Sequence, residues 1–195
     1  MNEYAVIGFG AVTGIALSSA VGFRVFLPFL VAAIATKLGV LGVAQDFAWL
    51  GSWPAIAVLA AASLSEILAY YIPVLDHALD VIGAPAAVVA GTLLTASMVV
   101  GMDEWLRWSL ALIAGGGVAG TLHTGFAALR GASTATTAAI ANPVIATGEV
   151  VGATTTAVAA IALPVVVAGL AVVAVVILLT WLTRSLLRRT ARGSA

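Results

Sequence analysis

Cysteine is absent from the chain and charge is scarce: 8% of the 195 residues are Asp, Glu, Lys or Arg, against roughly 25% in an ordinary soluble domain. Without cysteine there is no disulfide frame, thiol nucleophile or thiolate zinc site, and redox chemistry says nothing of the compartment. Eight basic residues balance eight acidic ones with no basic stripe among them, which excludes nucleic acid as a partner. What is abundant is apolar surface, 63% of the residues, which rules out intrinsic disorder. The length fits about one domain. Apolar stretches of about 18 or more residues are membrane spans, so the sequence predicts an all-α, polytopic helical membrane protein. Met1-Asn2-Glu3-Tyr4 carries an acid where a secretory signal carries bases, so the first apolar run is expected to be retained as a span.

About six spans are expected, with five as the fallback. Residues 5–36 would be about 48 Å long as one helix, so this run must tilt or break. Gly22-Phe23-Arg24 and Pro28 supply the break. Residues 37–52 read as a loop, with Trp49 and Trp53 in an interfacial belt. A second span follows from Pro54 to Pro73. Residues 74–83 are too short and polar to cross, and a third span occupies 85–101. After the aromatic, charged turn at 103–108, a fourth span runs to Leu129, and 131–142 reads as a connector. Pro164 divides residues 143–183, a stretch with no polar loop, into two spans, the first weak and containing Glu149, the second ending near Trp181. Arg184, Arg188, Arg189 and Arg192 place the tail in the cytoplasm, and six spans would bring the other terminus to the same side of a bacterial cytoplasmic membrane.

Gly14, Ser18 and Gly22 followed by Phe23 are matched 103 positions later by Gly117, Thr121 and Gly125 followed by Phe126. Glu66 and Glu149, each the only carboxylate in its span, are 83 positions apart. This suggests an inverted three-plus-three repeat with broken helices: residues 1–101 as one half, 102–183 as the other, and 184–195 as a basic tail. The small-residue ridges equally suit close helix crossings.

A charge at the bilayer centre costs at least about 2.5 kcal/mol, so each buried one needs a partner or a function. Glu66 shares a helical face with Leu59, Ser63 and Tyr70, and Arg24 is its obvious partner, as ligand, gate or structural clamp. Glu149 lies among threonines in a weak span. His123 could relay protons or serve as a buried, bonded neutral imidazole. Asp76, His77 and Asp80 stand at near-helical spacing and suit either a weak surface cation site or a solvated face. No nucleotide loop, nucleophile elbow or metalloprotease motif occurs, so neither a cofactor nor enzymatic chemistry is expected.

Glu66, Ile72-Pro73, Asp76, Asp80, Pro85, Gly115-Gly116-Gly117, His123, Arg130, Asn142-Pro143, Gly148-Glu149 and Pro164 form an ordered series. Together with the opening Gly22-Phe23-Arg24 and Pro28, it resembles the bacterial membrane family called domain of unknown function 4126. The sequence departs from that pattern at Tyr70-Tyr71, where an acidic-basic pair is expected, at Ala84 in place of arginine, and at Val150 in place of a second acid. The family carries no known activity, so the resemblance bears on architecture and on the choice of residues. The leading functional expectation is a small transporter or channel for a small ion or solute, including a proton-coupled one. Its pathway would be lined by Arg24, Glu66, His123 and Glu149 near the midplane. The alternative is a non-transporting membrane factor that binds lipid or partner proteins. The lipid bilayer, the solute and a second copy in a homodimer are the partners expected.

Overall fold

A computed structural model describes residues 2–137 and 140–193, except for the side chains of residues 73–74, 76–78, 80 and 185–193. Small polar residues and prolines set most helix starts. The Asn2 side chain accepts the Ala5 N–H at 3.0 Å and opens α1 (Glu3–Val21), with Glu3 in its first turn. A short α2 (Phe26–Lys37) and a 3-10 segment (Gln45–Gly51) lead to α3 (Trp53–Ala69), capped by Ser52 and carrying Pro54 in its first turn. Proline also begins α4 (Pro73–Met98) and α8 (Pro164–Gly193), and Pro143 opens α7 (Asn142–Ala162). Between α4 and α7, α5 (Glu104–Leu110), a π-helical turn (Ala111–Gly116) and α6 (Gly117–Thr137) form one stretch of 34 residues. The described residues form eight α-helices and no strand. Five helical stretches are long and apolar enough to cross a membrane, six if the 3-10 segment and α3, bent by 68°, count as one crossing. The chain is a polytopic helical membrane protein.

The first apolar run breaks at Pro28 for a steric reason. A proline ring clashes with the carbonyl four residues back, here that of Arg24, and offers it no N–H. The first helix therefore ends at Val21, residues 22–25 turn, and Pro28 falls in the first turn of α2. That helix then returns toward the start of α1. Its own start is held beside α3, where the Val25 and Phe26 N–H groups donate to Glu66. The loop after it reaches the opposite end of the bundle, where the Ala44 N–H donates to the Ser97 carbonyl at 2.7 Å, one residue from Met98, which abuts Gly10 of α1. Twelve helical residues rise only about 18 Å, so α2 is a short return arm.

Helix directions follow from the pairings. Gly14 faces Thr95 and Ser18 faces Gly91, so α1 and α4 are antiparallel. Gly91 faces Ala119 and Gly83 faces His123, so α4 and α6 are antiparallel as well. Val118 clusters with Ala171 while Gly125 abuts Leu178, so α6 and α8 run together. It follows that α1 and α8 are parallel, with Glu3 and Arg184 at opposite ends of the bundle. The expectation of both termini on one side omits the return arm α2, which adds a reversal of direction. At the Glu3 end, Trp49, Trp53 and Trp105 are exposed, Lys37 lies over the Trp53 ring, and Arg107 grips Asp46 through bonds of 2.7 and 3.1 Å. This is the composition of a membrane interface.

Two expected boundaries move. Segment 74–83 is the opening part of α4, which continues through Pro85, and the connector at 131–142 shrinks because α6 persists to Thr137. The hydroxyls that weaken α6 as a span are absorbed within it: Thr136 donates to the Ala132 carbonyl at 2.9 Å and Thr137 to that of Ser133 at 2.7 Å.

At the α1–α4 crossing a Cβ on Gly14 would stand 2.7 Å from the Thr95 Cα, and the Ser18 hydroxyl bonds to the Gly91 carbonyl and the Thr95 hydroxyl, both at 2.8 Å. Gly22 meets Leu122 of α6. The second ridge does not repeat this arrangement. Gly115, Gly116 and Gly120 make the close approach to α4, whereas Gly117 is exposed, Thr121 half-buried, and Gly125 turned to Leu178 of α8. The π turn is the physical cause, since its wider winding shifts the face that the following helix presents. The inverted relation also fails on direction. Its axis would reverse α1 relative to α6, yet they are parallel, while α3 and α7, which carry Glu66 and Glu149, run opposite ways. No single axis relates both pairs. The matched Phe23 and Phe126 instead touch each other, ring centroids 4.3 Å apart.

Candidate buried ion-pair site

The breaks and ends of four helices meet at one place. Residues 22–25 bring Arg24, α3 brings Glu66 and its cap residue Tyr70, α6 brings Arg130, and the first two turns of α7 bring Ala146 and Glu149. Arg24 is wholly buried and Arg130 and Glu149 nearly so. Nη2 of Arg24 lies 3.2 Å from Oε2 of Glu149 and donates to the Ala146 carbonyl at 3.1 Å. Nη1 of Arg130 binds the other oxygen, Oε1 of Glu149. One carboxylate thus holds two guanidinium groups. Tyr70 lines the same pair, with Arg24 3.7 Å and Arg130 4.8 Å from its ring centre, so the π face also offsets their mutual repulsion.

Glu66 is engaged differently. Oε1 accepts the Val25 N–H at 2.7 Å and Oε2 accepts the Phe26 N–H at 3.0 Å. Val25 supplies no capping side chain of its own, so Glu66 serves α2 as a cap from a neighbouring helix, its charge set against the positive end of the helix dipole. The expected Arg24–Glu66 pair is therefore replaced. Among the described residues Arg24 pairs with Glu149, because the turn at 22–25 presents main-chain donors, not the guanidinium, to α3.

Two buried groups keep unused capacity. Nε and Nη1 of Arg24 have no hydrogen-bond partner among the described residues, and the same holds for the hydroxyl of Ser63, one turn before Glu66 on α3. The cluster is also off-centre. Glu66 lies about 20 Å along α3 from Trp53 and three residues before its end, so the site is displaced from the midplane toward the Arg184 end of the bundle.

The structure brings Arg24, Glu66 and Glu149 together, and buries His123 with its imidazole packed on Gly83 of α4. The ion pairs above do not include it. Asp76, His77 and Asp80 lie in α4, but their side chains are outside the described residues. The sequence marks Arg130 only within the family-like series and assigns it no place in the pathway, and it gives Tyr70 no role beyond sharing the Glu66 face. Their signals are faint: Tyr70 stands four residues after Glu66, and Arg130 stands near the end of an otherwise uncharged helix.

The fold and this cluster define a polytopic membrane protein with a buried, helix-bridging ion-pair site. The chain belongs to the family described as Domain of unknown function (DUF4126), whose profile matches residues 11–185, a range that contains all of these residues. No curated protein and no solved structure matches the chain.

Proposed function

We propose that the protein is a small transporter or channel for a small anionic solute, with Arg24 as the binding point. The observation that carries this reading is the state of Arg24: wholly buried, bound on Nη2, with Nε and Nη1 unpartnered among the described residues. A guanidinium cannot shed its proton, and a buried donor left unmade costs roughly 1–3 kcal/mol. A carboxylate or phosphate-like group matches that fork in geometry and charge. The unpaired hydroxyl of Ser63, on the Glu66 face of α3, is a further polar contact of the right kind. Broken helices that turn their N-terminal ends toward a buried anion site are a recurring design in transporters.

In this mechanism Glu149 is the resident counter-ion. An entering anion takes over Arg24, Glu149 withdraws onto Arg130, and departure of the anion lets the Arg24–Glu149 pair re-form and close the path. Neither guanidinium is left without a negative partner at any stage, which keeps the exchange low in energy. Arg130 and the arginine-rich end of α8 lie at one end of the bundle, Lys37 and Arg107 at the other. The positive-inside rule then puts the Arg184 end in the cytoplasm and the Glu3 end outside.

A second reading, a non-transporting membrane factor clamped by these charges, draws on Glu66, both of whose carboxylate oxygens cap α2. Uptake of a panel of labelled carboxylates, phosphate and sulfate into proteoliposomes separates the two. The transport reading expects saturable uptake of at least one anion, lost in Arg24→Gln that still elutes as folded protein. Absence of uptake for the whole panel would leave the clamp.

A further inference from the structure

An apolar groove of about 1010 Å³ lies between α4, α6 and α8, on the side of α6 away from the ion pairs. Its floor includes Gly117, Thr121 and Gly125, and its walls include Val88 of α4 with Leu178 and Leu182 of α8. It runs along the π turn and α6 from Leu112 to Ala132, about 30 Å of helix, the thickness of a hydrocarbon core. It ends at Trp181 and Leu182, two residues before the exposed Arg184, and in sequence Arg188, Arg189 and Arg192 follow on the same helix. One leaflet is about half of that core, so the half of the groove nearer Arg184 has the length of a single acyl chain, and the basic mouth suits an anionic head at the end of that chain.

We propose that the half of this groove nearer Arg184 holds an acyl chain of one anionic phospholipid, with its phosphate at Arg184. Each buried methylene contributes about 0.8 kcal/mol relative to water, but a chain loses the same contacts in leaving the surrounding bilayer. The selectivity therefore comes from the headgroup, and the groove fixes where that headgroup stands. The proposal is independent of the transport reading, since no groove residue belongs to the ion-pair site.

The test uses the full chain, stripped of lipid in detergent, then offered phosphatidylglycerol or phosphatidylcholine and weighed intact by native mass spectrometry. One phosphatidylglycerol per chain is expected, retained several-fold more firmly than phosphatidylcholine. Arg184→Gln should lower phosphatidylglycerol retention about fivefold, the effect of one basic residue near an anionic surface, and leave phosphatidylcholine unchanged. Ala128→Phe, an exposed position in the groove wall near the Arg184 end, should fold normally and reduce retention of both lipids. Equal retention of the two lipids by the parent chain overturns the proposal. So does an Ala128→Phe chain that binds lipid unchanged but turns from dimer to monomer, which would give the groove to a second copy.

Discussion

Nη2 of Arg24 stands 3.2 Å from Oε2 of Glu149, although 125 positions separate the two residues in the chain. The contact ties the turn that reverses the first apolar run to the opening turns of α7, and Arg130 on α6 shares the same carboxylate. The site and the fold's most unusual feature, the return arm α2, are thus held by the same few side chains.

Glu149→Gln should be the most destabilising conservative change in the protein. It leaves two buried guanidinium groups without their shared counter-charge, a loss of about 3–5 kcal/mol for a buried pair broken on one side. Thermal unfolding in detergent measures it. Combining it with Arg130→Gln should recover part of the loss, because only one buried charge then lacks its partner, and a double-mutant cycle reads that coupling.

Glu66→Gln should behave more mildly. The amide oxygen still accepts one of the two α2 N–H groups, so the cost is about 0.5–2 kcal/mol, that of a weakened cap, whereas Glu66→Ala removes both bonds. Limited proteolysis at residues 22–25 should be faster in the alanine variant than in the glutamine variant.

The membrane class, the break before Pro28, the divisions at Pro164 and around Trp53, and two of the three members of the Arg24–Glu149–Arg130 core were legible because each rests on a local rule. Proline forbids a helix donor, and a charge in an apolar run needs a partner. What was not legible depended on direction and register. Nothing local in residues 26–37 says that α2 turns back, and that reversal decides which ends of the bundle share a side. A π turn leaves no mark in a Gly-Ala-rich stretch, yet it determines that Gly115, Gly116 and Gly120, not Gly117, approach α4. Arg130 reads as an interfacial end residue until α7 lays Glu149 across it.

The direction of α8 relative to α1 gives a prediction that the absence of cysteine makes simple to check. Single cysteines at Glu3, Gly42 and Gly193 should divide two to one under a membrane-impermeant thiol reagent in spheroplasts, with the first two labelled and the last protected. Labelling that groups Glu3 with Gly193 would mean that α2 does not return across the bundle.

The glycine contacts predict a graded series. Gly8→Ala meets open space and should be neutral. Gly91→Ala drives a Cβ to 2.7 Å from the Gly115 carbonyl and 2.5 Å from the Ala119 Cβ, so it should cost about 1–3 kcal/mol of stability by forcing α4 and α6 apart. Unfolding midpoints of the two purified variants make the comparison.

The account turns on Glu149 standing where a substrate anion would bind, and Glu149→Gln tests this through anion-dependent stability. Unfolding temperature is followed with and without each anion of the transport panel at constant ionic strength. If Arg24 takes an anion, the variant is destabilised alone and is raised by the transported anion more than the parent is, because its internal competitor is gone. A variant that is destabilised and equally unmoved by every anion would contradict the account and make the cluster a structural clamp.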